Sequence, residues 1–266
     1  MYAFDYVRPA SLADALKAIG AGEEARPLAG GQTLIPTIKQ RLAMPGSLVD
    51  LAGIAELKGV KRDGSTLTIG AMTTHAEVAA NADVKATIPA LAHLAGHIGD
   101  PAVRSAGTIG GSVANNDPSA DYPAAVLALG ATIITTQREI PADAFFAGLF
   151  TTTLKPGELI KAIRFPVPVK AGYSKFEQRA SRYALIGVFV AQTAAGVRAA
   201  VTGSGATGVF RAPAIEAALA KGFSPDSLKG VTVPATGLLS DLHGSADYRA
   251  SVIPVIAERA VAHALA

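Results

Sequence analysis

Two glycine-rich strings carry amide and hydroxyl groups suited to holding an anion. The first is Ala29-Gly30-Gly31-Gln32-Thr33-Leu34. The second is Gly107-Thr108-Ile109-Gly110-Gly111-Ser112, followed by Asn115, Asn116, Asp117 and Asp121. A diglycine reaches positive φ and brings main-chain N–H groups close to a ligand with no Cβ in the way. Successive N–H groups in such a turn form a concavity that binds phosphate. Thr33, Thr108 and Ser112 add hydroxyl donors. Two such turns can grip both phosphates of a pyrophosphate, and Asp121 can accept from a ribose hydroxyl. Dinucleotide binding is the chemistry that fits. For either diglycine alone, a tight turn at a strand end is the plain alternative, since glycine is a leading turn residue.

Other motifs carry less. Gly203-Ser204-Gly205-Ala206-Thr207-Gly208 spells the dinucleotide fingerprint. That fingerprint needs a helix opening at its third glycine. Val209-Phe210-Arg211-Ala212-Pro213 delays the helix, so a flexible turn is the better reading. His93 and His97 have a chelating spacing, but no third ligand is evident and metal sites need three or four. Asp117 and Asp121 flank Pro118 and read as loop carboxylates for hydroxyl recognition rather than an acid–base pair. No nucleophile with its base emerges. This suits a protein whose chemistry belongs to a bound cofactor.

Composition narrows the classes. The chain has 266 residues, half of them hydrophobic, 17% charged, with a formal charge of +3 and 6% aromatics. A surface tracking nucleic acid needs clustered cations or stacking aromatics, and neither is present. Low charge in an apolar chain implies that partner subunits cover some of its surface. Cysteine is absent, which excludes disulfides, thiolate-ligated iron–sulfur clusters and cysteine nucleophiles from this polypeptide. Met1 to Pro9 has neither the basic nor the apolar region of a secretory signal. The most apolar stretch, 184–195, is too short to span a bilayer. The expectation is a soluble, cytoplasmic protein with no transmembrane segment.

The elements that must position the two strings follow from pattern and punctuation. Ser11 to Ile19 reads as a capped helix, and Ile35 to Leu42 as another. Residues 26–28, 48–51 and 67–70 are strand candidates. Thr74-His75-Ala76-Glu77 is a capping box opening a helix. Helices are predicted over 89–98 and 123–129, and strands over 131–136 and 159–165. The second glycine string reads as a loop between them. Pro166, Pro168 and Gly172 mark a boundary, giving domains 1–170 and 171–266. Beyond it, 176–201 offers strands, while 212–221 and 246–266 read as helices. Strands and helices mix without regular alternation, which predicts an α+β fold.

The paired strings resemble the FAD-binding medium subunit of the molybdenum hydroxylases, the family that includes aerobic carbon monoxide dehydrogenase and xanthine dehydrogenase. Ala29 to Thr33 is similar to its first pyrophosphate loop. Thr108 to Ser112, with Asp117-Pro118 and Asp121, is similar to its second. Tyr2 and Phe4, Arg104 to Gly107, and Arg211-Ala212-Pro213 extend the likeness over nearly the whole chain. Ser181-Arg182 departs from it, because many relatives have an acidic residue before the tyrosine. The resemblance implies a two-part FAD-binding domain of the vanillyl-alcohol-oxidase/PCMH type followed by a smaller α+β domain. It implies FAD as cofactor, held by Ala29, Gly30, Gly31, Gln32, Thr33, Leu34, Thr108, Ile109, Gly110, Gly111, Ser112, Asn115, Asp117 and Asp121. Ile160 matches a position near the flavin, with plain core packing as the alternative. Tyr183 matches a tyrosine lying against the flavin ring, with a half-buried strand tyrosine as the alternative. By the same resemblance a large partner holds molybdenum–pterin, a small partner carries iron–sulfur clusters, and electrons leave the flavin for an external acceptor. A stand-alone FAD-dependent reductase and a non-catalytic nucleotide-binding module are the other readings.

Overall fold

The computed structural model describes residues 1–20 and 24–266, and the fold is α+β with three principal sheets. Near the N-terminus, Asp5–Val7 and Ala25–Leu28 pair in parallel with the central strand Ser47–Asp50. The helix Leu12–Gly20 buries Leu12, Ala15 and Ile19 in the core of this unit with Val49, Leu51, Ile54 and Leu57. A five-stranded antiparallel sheet follows, in the order Val60–Asp63, Thr66–Gly70, Ile160–Pro166, Thr132–Thr135, Glu139–Pro141. The helices between residues 75 and 128 pack against it. Leu91, Val126, Ile133 and Phe165 fill the space between.

The third sheet orders Lys170–Glu177, Ala184–Thr193, Gly196–Thr202 and Phe210–Arg211, all antiparallel. Its second strand is buried on both faces, and period-two alternation divides its side chains. Ile186, Val188 and Val190 face the helices Pro213–Lys221 and Ala246–Leu265. Phe189 and Ala191 face the other way and join Tyr173 in the core of the preceding sheet. The chain after residue 170 therefore shares one core with the chain before it.

Several elements depart from the sequence reading. The second glycine string is no loop but the first turn of a helix, Ile109–Asn115. Thr108 caps it, its hydroxyl accepting from the Gly111 N–H at 3.1 Å. The helices Ala82–Thr87 and Pro101–Ala106 were not expected. Asn81 and Asp100 cap them through Val84 N and Val103 N. The helix expected to reach Leu42 stops at Lys39, with Arg41 in a left-handed conformation. The Gly203–Gly208 string joins two antiparallel strands, and Ser204 is wholly buried within it. It is a packed turn rather than a flexible one.

Candidate functional site

The two glycine strings meet along one cleft of about 530 Å³. The first follows the strand Ala25–Leu28 and leads into the helix Leu34–Lys39. The second opens the helix Ile109–Asn115. They lie so close that a Cβ on Gly30 would fall 2.2 Å from the Ala106 carbonyl oxygen. Between them the apolar floor is made by Leu51, Ala71, Met72, Leu159 and Ile160. The hairpin loop after Glu177 supplies Ser181, Arg182 and Tyr183 from the opposite side.

Of the residues expected from sequence, fifteen line this cleft: Ala29, Gly30, Gly31, Gln32, Thr33, Leu34, Thr108, Gly110, Gly111, Ser112, Asn115, Asp117, Asp121, Ile160 and Tyr183. Ile109 does not. Its side chain is fully buried in the core, and its N–H donates to the Thr73 carbonyl at 3.1 Å.

The backbone amides divide the two strings sharply. The N–H groups of Gly31, Gln32, Thr33 and Leu34 have no protein acceptor among the described residues. Gly31 turns the chain at φ 69° to present them. Four adjacent free donors make an anion nest. In the second string every amide but that of Thr108 is spent inside the protein. Gly110 N–H donates to Ala71 O at 2.8 Å, Gly111 N–H to the Thr108 hydroxyl, and Ser112 N–H to Thr108 O at 3.0 Å. The expectation of twin amide cradles is corrected here: the second string offers hydroxyls and the positive end of a helix, not a free nest. Gly110 is glycine because a Cβ would lie 2.4 Å from the Ala71 Cβ. It keeps the helix against the floor of the cleft.

Asp121 also differs from the ribose acceptor expected. It is 4% exposed, and its Oδ1 accepts from the Tyr173 hydroxyl at 2.5 Å and from Lys175 Nζ at 3.0 Å. Burial raises its pKa, against the pull of the Lys175 charge. Asp117 accepts from Ser119 N–H at 2.8 Å, which shapes the bend after the helix. The adjacent Asn116 is buried in a left-handed conformation and donates to the Gly148 and Thr151 carbonyls.

Sequence reasoning missed several lining residues. Arg26 precedes the first turn and adds a cation, as Arg182 does across the cleft. His75, inside the capping box, lines the cleft with its ring 5.3 Å from that of Tyr122. Burial, helped by the Arg104 charge, lowers its pKa to about 4, so it is neutral at pH 7. The capping box was readable; that its second residue would turn inward was not. Tyr183 stands at the base of the hairpin loop, 48% exposed, outside any strand. Burial and the Asp117 and Asp121 carboxylates raise its phenol pKa. His93 and His97 lie with ring centroids 4.2 Å apart and planes tilted by 40°, and no metal-binding group of side chains occurs among the described residues.

The arrangement can hold an extended anion and lay a flat group on an apolar floor beside an aromatic ring. Residues 2–168 match the family model described as the FAD binding domain in molybdopterin dehydrogenase. The chain is 37% identical to the carbon monoxide dehydrogenase medium chain of Afipia carboxidovorans, over 99% of this chain and 97% of that one. It is equally similar, at 37%, to the glyceraldehyde dehydrogenase medium chain of Sulfolobus acidocaldarius, over 97% and 96% of the two chains. Among solved structures, carbon monoxide dehydrogenase from Hydrogenophaga pseudoflava superposes with a TM-score of 0.87 at 34% identity, covering 99% and 98% of the chains. Quinoline 2-oxidoreductase from Pseudomonas putida gives 0.88 at 29% identity, covering 99% and 97%.

Proposed function

Since the chain belongs to the family of FAD-binding domains in molybdopterin dehydrogenases, we propose that it is the flavin-carrying, electron-transfer subunit of a molybdenum hydroxylase complex. It binds FAD and is a flavoprotein oxidoreductase subunit. The observation that carries this reading is the nest of four unpartnered amides at Gly31 to Leu34, opening on the cleft that the second string also lines. The nest receives the pyrophosphate, with the hydroxyls of Thr108 and Ser112 facing it. Arg26 and Arg182 add attraction for its charge. Ile160, Leu159, Met72 and Ala71 form a dry floor for the flavin, and Tyr183 closes its outer side. When bound, FAD supplies the chemistry: it takes up electrons and passes them on. The protein's task is to bind, orient and exclude water.

The chain lacks cysteine, so a thiolate-ligated iron–sulfur cluster has no ligands in it; its likeness to medium chains supports a small partner that carries such clusters and a large one that carries molybdenum–pterin. The large partner selects the substrate, and electrons leave for an external acceptor. The complex is cytoplasmic; no helix among the described residues is long and apolar enough to cross a membrane. A stand-alone reductase or a simple nucleotide-binding module is not favoured, because the likeness to subunits of larger dehydrogenases covers the whole chain. Two measurements test the reading. Purified protein should show flavin absorption bands, and co-expression with the proposed large and small partners should recover a stable complex. A colourless protein that takes up no FAD on titration would overturn it.

A further inference from the structure

Lys175 lies behind the wall of the cleft, on the strand Lys170–Glu177, with its side chain 5% exposed. Its three ammonium protons find three oxygens: Asp121 Oδ1 at 3.0 Å, the His97 carbonyl at 2.8 Å and the Arg182 carbonyl at 2.7 Å. These belong to separate segments. Asp121 heads the helix Tyr122–Ala128, His97 ends the helix Pro89–Gly96, and Arg182 lies in the hairpin loop. Asp121 and Arg182 line the cleft, while Lys175 does not. The cation therefore reaches the cleft only through them.

The loop depends on that hold. Arg182 sits at φ 61°, a conformation that long side chains seldom adopt. Its N–H donates to the Gln178 carbonyl at 2.7 Å, and its carbonyl accepts from Lys175. These two bonds fix the peptide from which Tyr183 projects. Asp121 is fixed from the same strand, by Tyr173 and Lys175 together. One strand thus anchors two neighbouring parts of the cleft lining, the Asp121 carboxylate and the peptide before Tyr183.

We propose that Lys175 is a positioning residue for the flavin, acting through Asp121 and the Arg182 carbonyl to hold the carboxylate and the Tyr183 ring in one fixed relation along the cleft lining. The proposal rests on the reading of this cleft as the FAD site. Charge-assisted bonds are the strong ones, and removing one partner of a buried pair leaves a lone charge. Lys175 is accordingly more than a stem in the core.

The test uses the full-length chain and double-mutant cycles. Lys175→Met should weaken FAD binding about tenfold in titration of the apoprotein, the scale of a lost charge-assisted bond. It should also change the visible circular dichroism of the bound flavin in the same sense as Tyr183→Ala. In a Tyr183→Ala background the spectral effect of Lys175→Met should vanish. In an Asp121→Asn background its effect on affinity should shrink about fivefold, the signature of coupled residues. Equal losses in every background with an unchanged flavin spectrum would mean that Lys175 only stabilises the fold, and would overturn the proposal. If Lys175→Met does not fold, Lys175→Met/Asp121→Asn removes both buried charges and is compared with Asp121→Asn alone. The double variant should then differ in flavin spectrum, and identical spectra would overturn the proposal. Wild-type protein that binds no flavin would instead defeat the FAD reading itself.

Discussion

Gly31 and Gly110 look interchangeable in the sequence, each half of a diglycine beside a hydroxyl, yet they serve different ends. Gly31 turns the chain so that free amides face the cleft, and a Cβ there meets Ile35 Cγ1 at 3.0 Å. Gly110 has its amide bonded to Ala71 O, and a Cβ on it would fall 2.4 Å from the Ala71 Cβ. Gly110→Val should therefore destabilise the apoprotein by about 1–3 kcal/mol or more, as overpacking does. Gly31→Ala, opposed mainly by its left-handed φ, should cost about 1–2 kcal/mol of stability and a larger share of FAD affinity. Melting of the two apoproteins beside FAD titrations separates the cases. A Gly110→Val apoprotein that melts as wild type does, or a Gly31→Ala protein that keeps full FAD affinity, would erase the distinction. His75 adds a pH effect. Its pKa is lowered from the ordinary 6.5 to about 4 by burial and by Arg104. The unfolded chain binds the proton first, so this contribution is full above pH 6.5 and is lost as pH falls toward 4. Ring-proton NMR should give a His75 midpoint near 4, and a midpoint above 6 would show the ring to be solvated.

The strand Ile160–Pro166 is the element on which the floor of the cleft depends, and a single carboxylate secures its entry. Glu158 is buried and accepts from Thr135 Oγ1 at 2.6 Å, Arg138 Nε at 3.1 Å and Lys155 N–H at 2.9 Å. Burial alone would raise its pKa, but these donors outweigh it and hold the carboxyl at about 2. Its folded pKa lies below the ordinary 4.5, so its contribution is present above pH 4.5 and is lost as pH falls through about 2. Glu158→Gln should lower stability by about 1–3 kcal/mol at pH 7, the scale of bonds to a charged group. The melting curves of variant and wild type should draw together near pH 2. Parallel curves across that range would show that Glu158 does not carry the linkage. The sequence displayed this strand and its closing proline, as it did the helix opened by Thr74 and the terminal helix. It also held a signal left unread, since Asp100-Pro101 is a cap followed by a favoured first helical residue. The helix Ile109–Asn115 offered the Thr108 cap but no proline behind it. Two glycines weaken it by about 1 kcal/mol each, and the Thr108 cap and the anchors to Ala71 and Thr73 offset that only once the chain has folded. The partners of Asp121 were hidden for the same reason: Tyr173 lies 52 positions away, on another sheet.

At the scale of the whole molecule, the first 170 residues carry the glycine strings and the family match, yet they do not complete the site alone. Tyr173 and Lys175 satisfy Asp121, and Tyr183 forms the outer wall. Tyr173, Phe189, Ala191 and Ala200 belong to the core cluster that includes Leu91, Val126 and Phe165. Arg198 donates twice to the Leu127 carbonyl, at 3.1 and 2.8 Å, and so closes the end of the helix that Asp121 heads. We propose 1–170 and 171–266 as domains in the sense of chain segments with separate sheets, while their shared core makes them fold as one unit. The full chain should then melt in a single cooperative transition. A fragment ending at residue 170 would expose the apolar surface that Phe189 and Ala200 cover, leave Asp121 buried without its cation, and lack the tyrosine wall. It should bind a hydrophobic dye, give a broad melt, and retain FAD at least about a hundredfold more weakly than the full chain, the loss expected from roughly 3 kcal/mol of missing contacts. Adding the separately produced 171–266 segment should restore part of the affinity. A fragment 1–170 that melts sharply and binds FAD as the full chain does would show instead that the glycine strings and their sheet form an independent flavin domain, with the remainder serving only to shape the approach to it.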